Sequence, residues 1–426
     1  MLSDRYGNGL TSSSRPACDA YVAAVDLLLA ASPGAEAAFH RAIACDPRLA
    51  VAHVGLARAL QLRAQPEAAK AAIAGALELS DGLSARERGH VEVMNLVING
   101  KSAPALAAAR AHLGDYPRDA MVLAPLTSVF GLIGFSGRAG RELELLELMD
   151  ALATAYGEED WWFLSMRAFA QVECGHVDQA LTNIERSLAR NPLNAHAAHI
   201  RGHVFYESGE REPGLSYLSD WWLRYPKEGQ LHCHLAWHIA LWQLELGHTQ
   251  EAWEVYHAHL KPGASWGPPI NTLSDSASFL FRAELAGEAR RPELWRELST
   301  YALTAFATPG VTFADVHGAL AHALAGNGEA LALIERSAAG PAADMVSALA
   351  RAFAALNRGA WQEASASMLP IIASHERIGG SRAQRDLIEY ALIVALLRAG
   401  EAEAARAYLG QRRLGGPHWP IAELRA

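Results

Sequence analysis

One spacing constrains this chain more than any other feature: a small residue, a large one four positions on, a second small one three further, and a proline five beyond. Ala35, Phe39, Ala42 and Pro47 meet it at every position, and Ala180, Ile184, Ser187 and Pro192 meet it again, with Gly175 in the turn before. Offsets of three and four put side chains on one helix face. The small residues let a neighbouring helix approach, and the large one fills the groove between them. Proline ends the helix, because it lacks an N–H and clashes with the preceding turn. Looser versions end at Pro117 and Pro226, and Pro192 and Pro226 stand 34 residues apart. A stop signal returning at that period describes stacked helix pairs.

This is the spacing of the second helix of a tetratricopeptide repeat. Elsewhere Ala and Leu dominate, apolar residues recur at three and four, and short Gly, Pro, Asn and Asp breaks separate the periodic stretches. Strand signals are nearly absent. The expected fold is all-α, a right-handed α-solenoid of TPR-like helix pairs with a concave inner cavity. Residues 1–15 read as a flexible N-terminal tail, and 16–426 as a single TPR-like superhelical domain. Residues 120–156 read as a helix pair broken at 137–140. Residues 261–275 read as the one long irregular segment, a functional loop or lid. The end, 415–426, reads as packed or frayed.

Composition narrows the partners. The net charge is −9 and the Lys and Arg residues form no basic run, which excludes a nucleic-acid surface. No stretch approaches the roughly 18–20 apolar residues of a membrane span, and the polar start lacks the apolar core of a signal peptide. The four cysteines make no CxxC pair, as expected of a cytoplasmic protein.

Histidine pairs mark the middle of the chain. His199 and His203 stand four residues apart, as do His234 and His238, so each pair shares one helix face, and His196 extends the first. Around them run Cys233-His234-x2-Trp237-His238-x-Ala240-Leu241 with Glu245 and Gly247, then Leu273-x-Asp275-Ser276, Phe313-x-Asp315-x-His317, and Gly379-Gly380-Ser381-x-Ala383-Gln384-Arg385-Asp386. In order and spacing, over roughly residues 14–410, these motifs resemble the tetratricopeptide repeat protein 38 family. The resemblance implies a TPR-like superhelix and no particular reaction. That family's pattern carries a carboxylate three residues after the second histidine of the first pair, where this chain has Tyr206, with Glu207 next.

If the paired helices open consecutive repeats, both histidine faces line the concave surface. Asp275, Asp315 and His317 then reach the same cavity as the solenoid curls. Trp237 and Trp266 would contact a ligand, Trp266 from the loop as a cover. Gln384, Arg385 and Asp386 would meet it at a helix start, Arg385 clamping an anion.

Three chemistries use these groups. A metal site would take one histidine pair with Asp275 or Asp315. It is set aside because neither motif has the glutamate of HExxH and the histidines outnumber the needs of one tetrahedral ion, so no metal or cofactor is expected. A metal-free site would use a histidine oriented by Asp275 or Asp315 as general base, with Arg385 or a second histidine stabilising negative charge. The plain alternative is that the histidines satisfy neighbouring backbone in tightly stacked helices. The expected function is a repeat protein binding a small molecule or peptide in a His/Asp-lined concave cavity. A hydrolase or lyase built on the same cluster and a protein-interaction scaffold are the alternatives. An end repeat offers a surface for a homodimer.

Overall fold

In the computed structural model, which describes residues 2–411 and 421, the periodic stretches are helices and the breaks are the turns between them. They form eleven pairs. The first six are α1 (Arg15–Leu29) with α2 (Ala35–Cys45), α3 (Ala50–Leu62) with α4 (Pro66–Glu78), α5 (Ala85–Ile98) with α6 (Ser102–Asp115), α7 (Ala120–Thr127) with α8 (Arg141–Tyr156), α9 (Trp161–Glu173) with α10 (Val177–Arg190), and α11 (Ala195–Ser208) with α12 (Arg211–Trp222). Five follow: α13 (His232–Glu245) with α14 (Thr249–Val255), α15 (Pro269–Leu285) with α16 (Pro292–Ala305), α17 (Thr312–Ala325) with α18 (Gly328–Ser337), α19 (Ala343–Arg358) with α20 (Trp361–Met368), and α21 (Arg382–Arg398) with α22 (Ala402–Gln411). A π-helical turn, Tyr256–Leu260, extends α14, and a 3-10 segment, Ile372–Ile378, follows α20.

The repeat spacing works as a packing rule. Helix α2 buries Ala35, Ala38, Phe39 and Ala42, and α10 buries Ala180, Asn183, Ile184 and Ser187. The Phe39 ring lies so close under α3 that a Cβ on Gly55 would stand 2.1 Å from it. Side-chain caps fix several starts: Asp160 on α9, Asn194 on α11, and reciprocal Ser/Glu and Ser/Gln boxes at Ser84 and Ser381.

Three local expectations change. Helix α7 carries Pro125 near its end and stops at Thr127, leaving 128–140 irregular. The expected loop at 261–275 is shorter, because Pro269 sits at the first turn of α15, where its fixed φ and missing N–H suit a helix start. Asp275 therefore stands on a helix. The expected flexible tail is docked: Tyr6 and Leu10 are buried, the Thr11 amide donates to Glu87 Oε1 at 2.8 Å, and Asn8 donates to the Arg118 carbonyl. Two apolar side chains and a capping carboxylate hold what composition alone reads as loose. Most of the expected packed or frayed end at 415–426 lies outside the described residues.

The solenoid closes on itself. The Ala195 amide donates to the Ala30 carbonyl at 3.0 Å, and the Tyr225 hydroxyl donates to Ala31. Across the other seam, Arg141 donates to the carbonyls of Glu376 and Gly380, and Phe313 packs on Phe130 and Phe135. The accessible surface, 16537 Å², is close to the ~16,000 Å² expected of a compact protein of 45.8 kDa. An open superhelix would expose far more. Two hydrophobic cores meet on α11, where Ala195 belongs to the C-terminal one and Ala197, Ile200 and Val204 to the N-terminal one. The concave face is thus filled, and its polar residues are interior groups.

Candidate functional site

Helices α11 and α13 present His199 with His203 and His234 with His238, each pair one turn apart, and the stacking of consecutive helix pairs brings the two faces together. His199, His203, His234 and His238 are all buried, and one ring nitrogen from each lies within 4.8 Å of the others. His199 Nε2 stands 3.0 Å from His203 Nε2 and 3.2 Å from His238 Nε2. Hydrogen bonding cannot satisfy that cluster. A ring nitrogen carries either one proton or one lone pair, so His199 Nε2 makes one good N–H···N contact and leaves the other unmatched. A cation among the nitrogens would satisfy all of them. For a tetrahedral ion about 2.05 Å from each nitrogen, neighbouring nitrogens stand about 3.3 Å apart. The two separations made by His199 are close to that edge, and the whole set lies within 4.8 Å.

The outward nitrogens support the same geometry. His234 Nδ1 faces Asp275 Oδ2 at 2.9 Å, and the Ser274 hydroxyl donates to the other Asp275 oxygen. His203 Nδ1 lies 3.9 Å from Glu173 Oε1, while Glu173 Oε2 accepts the Arg382 amide at 2.8 Å. The Asp275 carboxylate behind His234 Nδ1 favours the tautomer that leaves Nε2 free to bind, whereas 3.9 Å is too long for a hydrogen bond and His203 Nδ1 makes none. Burial, reinforced by His234, lowers the His203 pKa to about 3, and burial with neighbouring histidines holds His199 and His238 well below 6.5. Burial and the nearby Glu142 carboxylate raise Glu173 to about 7. His199, His203 and His238 are therefore neutral at pH 7, in their metal-binding form.

A cavity of about 100 Å³ adjoins the tetrad on the side of His199 and His234. Leu28, Leu62, Met166 and Phe169 make much of its wall, with Arg58 and His196 among the polar groups. Its volume is too small for any length of peptide. An ion in the tetrad would act there as a Lewis acid on a ligand oxygen or a bound water.

The other expected site residues divide. Asp275 joins the tetrad as described. Trp237 is fully buried and stacks on His234, with centroids 5.2 Å apart and planes 13° apart, so it walls a histidine and does not line the cavity. His317 lies near enough to feel Asp275, but its Nδ1 donates to its own helix at Phe313, and burial takes it down to about 4. Asp315 stays out: it accepts the Gly310 amide at 2.9 Å at the start of α17, and burial raises it to about 6. Trp266 is no cover for this cavity. It is 58 % exposed, under Lys227, at a separate hollow with Ser32 and Pro33.

Gln384, Arg385 and Asp386 belong to the closing seam. Gln384 completes the cap at Ser381, Arg385 pairs with Glu142 and the Gly380 carbonyl, and Asp386 accepts from Tyr206 at 2.9 Å. Tyr206 in turn accepts from Arg282. Arg385 is consumed by its own carboxylate and cannot clamp an anion in the cavity. Neither nucleophile considered on chemical grounds is activated: Ser276 donates to the Leu260 carbonyl, and burial raises Cys233 to about 12. The sequence reading missed Glu173 and Arg58. The available signal was an ionised residue in an otherwise apolar run, WWFLSMRAFAQVE for the first and AVAHVGLARALQL for the second.

No family model matches this chain. Among solved structures it is similar to the P58(IPK) TPR domain, at 16 % identity over 93 % of this chain and 99 % of that one, with a TM-score of 0.21. It is also similar to a structure of Naa15/Naa10 bound to HypK-THB, at 14 % identity over 96 % and 70 % of the two chains, with a TM-score of 0.22. Scores so low carry no functional inference, and the TPR-like description rests on the helix pairs themselves.

Proposed function

We propose that this protein is a metalloprotein on a TPR-like scaffold, holding one divalent transition ion on His199, His203, His234 and His238. The single observation behind this reading is the convergence of buried Nε2 atoms that hydrogen bonding cannot satisfy. All-imidazole ligation suits zinc, copper, nickel or iron. The weighing of motifs alone set the metal aside for lack of HExxH and for excess histidines, yet four imidazoles complete one tetrahedral shell. That shell is closed, so a ligand oxygen from the cavity would meet the ion only as a fifth ligand, and Lewis-acid polarisation would need that expansion.

Membership of the tetratricopeptide repeat protein 38 family is part of the proposal. Its support is that the shared motifs fall into two buried assemblies, the tetrad with Asp275 and the seam at Gly380–Asp386. A reducing, cytoplasmic setting is supported by four free thiols, Cys18, Cys45, Cys174 and Cys233. No helix among the described residues is long and apolar enough to cross a membrane. A scaffold role would use outward faces such as those bearing Leu193 and Leu223, 69 % and 77 % exposed, and would ignore the tetrad.

Elemental analysis of protein purified without chelators or a His-tag tests the reading. About one ion per chain is expected, falling below about a tenth in His203→Ala with unchanged far-UV circular dichroism. Wild-type protein that stays free of metal after incubation with each of these ions, then desalting, would refute it.

A further inference from the structure

The cavity beside the tetrad contains a charge the fold leaves unanswered. Arg58 is the one charged side chain in its lining, and among the described residues no carboxylate lies within ion-pair distance of it. Its Nη1 donates to Gln61 Oε1 at 2.6 Å, and Gln61 itself is anchored on the Val97 carbonyl at 3.2 Å. The surface Arg58 retains faces this cavity. Burial alone draws its pKa down to about 10, with no anion holding it up, so it is still cationic at neutral pH. Arg58 is part-buried and uncompensated, which costs stability, whereas the fully buried arginines Arg86 and Arg385 are paired with Asp119 and Glu142.

We propose that the cavity binds a small organic monoanion, a short-chain monocarboxylate, with its carboxylate on Arg58 and its other end against His199 and His234. A guanidinium fork matches a carboxylate in bidentate geometry. One fixed positive charge answers one negative charge, and the remaining polar lining groups, such as Thr127, Ser128 and Asn271, are neutral. A phosphate dianion would stay half compensated. The apolar wall fits a hydrocarbon body. The volume, about 100 Å³, is below the ~150 Å³ that admits benzene, which limits the ligand to about six non-hydrogen atoms. Only the placement of the ligand's far end rests on the proposed ion site, since the Arg58 end needs no metal.

Calorimetric titration with propionate and butyrate, against butanol and inorganic phosphate, tests this on the full chain. Wild type is expected to bind the carboxylates at least about tenfold more tightly than butanol or phosphate. Arg58→Met should weaken carboxylate binding about 10- to 100-fold, Arg58→Lys should restore part of it, and metal content should be unchanged. Arg58→Met should also unfold at a higher temperature than ligand-free wild type, since an unpaired buried charge is removed. No carboxylate binding, equal binding by Arg58→Met, tighter binding of phosphate, or a lower unfolding temperature in Arg58→Met would each overturn the inference. His203 is no part of the cavity lining, so His203→Ala separates the two readings. Arg58-dependent carboxylate binding by wild-type protein that takes up no metal sinks the ion site and leaves this inference standing. Metal uptake without carboxylate binding does the reverse.

Discussion

Two buried histidine clusters sit in this molecule, and they are built on opposite principles. In the N-terminal half, His90 Nδ1 and His112 Nε2 each lie 3.0 Å from Asp119, and Arg86 meets the same carboxylate at 3.1 Å. Against burial, which would raise it, His90, His112 and Arg86 hold Asp119 well below the carboxylate range. That cluster is closed, because its cationic and donor groups converge on one anion. In the tetrad the rings face one another, and the carboxylates stand behind them. Inward-facing imidazoles lack a partner that an ion would supply. Both clusters are buried; the direction the nitrogens face separates structure from site.

The largest expected effect breaks the closed cluster. Asp119→Ala strands a buried guanidinium and two imidazoles, and should cost about 3–5 kcal/mol in urea unfolding. His203→Gln in ion-free protein should cost only about 1 kcal/mol. Equal costs would erase the distinction.

Acid should separate the clusters next. In the ion-free tetrad the folded state holds fewer protons than the unfolded one, because His203 sits at about 3 against 6.5 unfolded. Its share of stability is complete above about pH 6.5 and is lost as pH falls toward 3, about 2 kcal/mol from His203 alone between pH 7 and 5. The depressed Asp119 works lower: its share is complete above about pH 4 and is lost below that. Urea midpoints between pH 7 and 5 should therefore fall in wild type and flatten in His203→Gln. Parallel curves would contradict the assignment.

Smaller effects sharpen the site. Asp275→Asn keeps the shape but weakens the support behind His234, and should lower ion affinity about 10- to 100-fold in a competition titration. Trp266→Ala should change stability by less than about 0.5 kcal/mol and leave the cavity untouched, as an exposed ring outside it requires. A large loss of ligand binding there would restore the loop as a cover.

Helix pairs were legible because small-large-small spacing and proline stops are local. Ala35, Phe39 and Ala42 needed no long-range knowledge. The two HxxxH faces were legible for the same reason, and so was their meeting, once consecutive repeats were placed side by side. What stayed hidden depends on closure. Arg58 comes from the second helix pair, and the seam that binds Ala195 to Ala30 brings it near α11; Glu173 ends α9, which packs directly on α11, and the seam adds the Arg382 amide to it. Closure also explains the reassigned residues. Arg385 and Asp386 read as ligand groups when their helix start is imagined facing an open cavity, but the seam gives them Glu142 and Tyr206. Asp315 shared a motif with His317 and nothing else, since its local role is to hold the Gly310 amide.

X-ray absorption at the edge of the bound ion tests the central claim most directly. Four imidazole nitrogens are expected at about 2.0–2.1 Å for zinc, falling to three protein nitrogens in His203→Ala if any ion is retained. A shell dominated by oxygen or sulfur, or one unchanged by the substitution, would place the ion elsewhere and return the tetrad to packing.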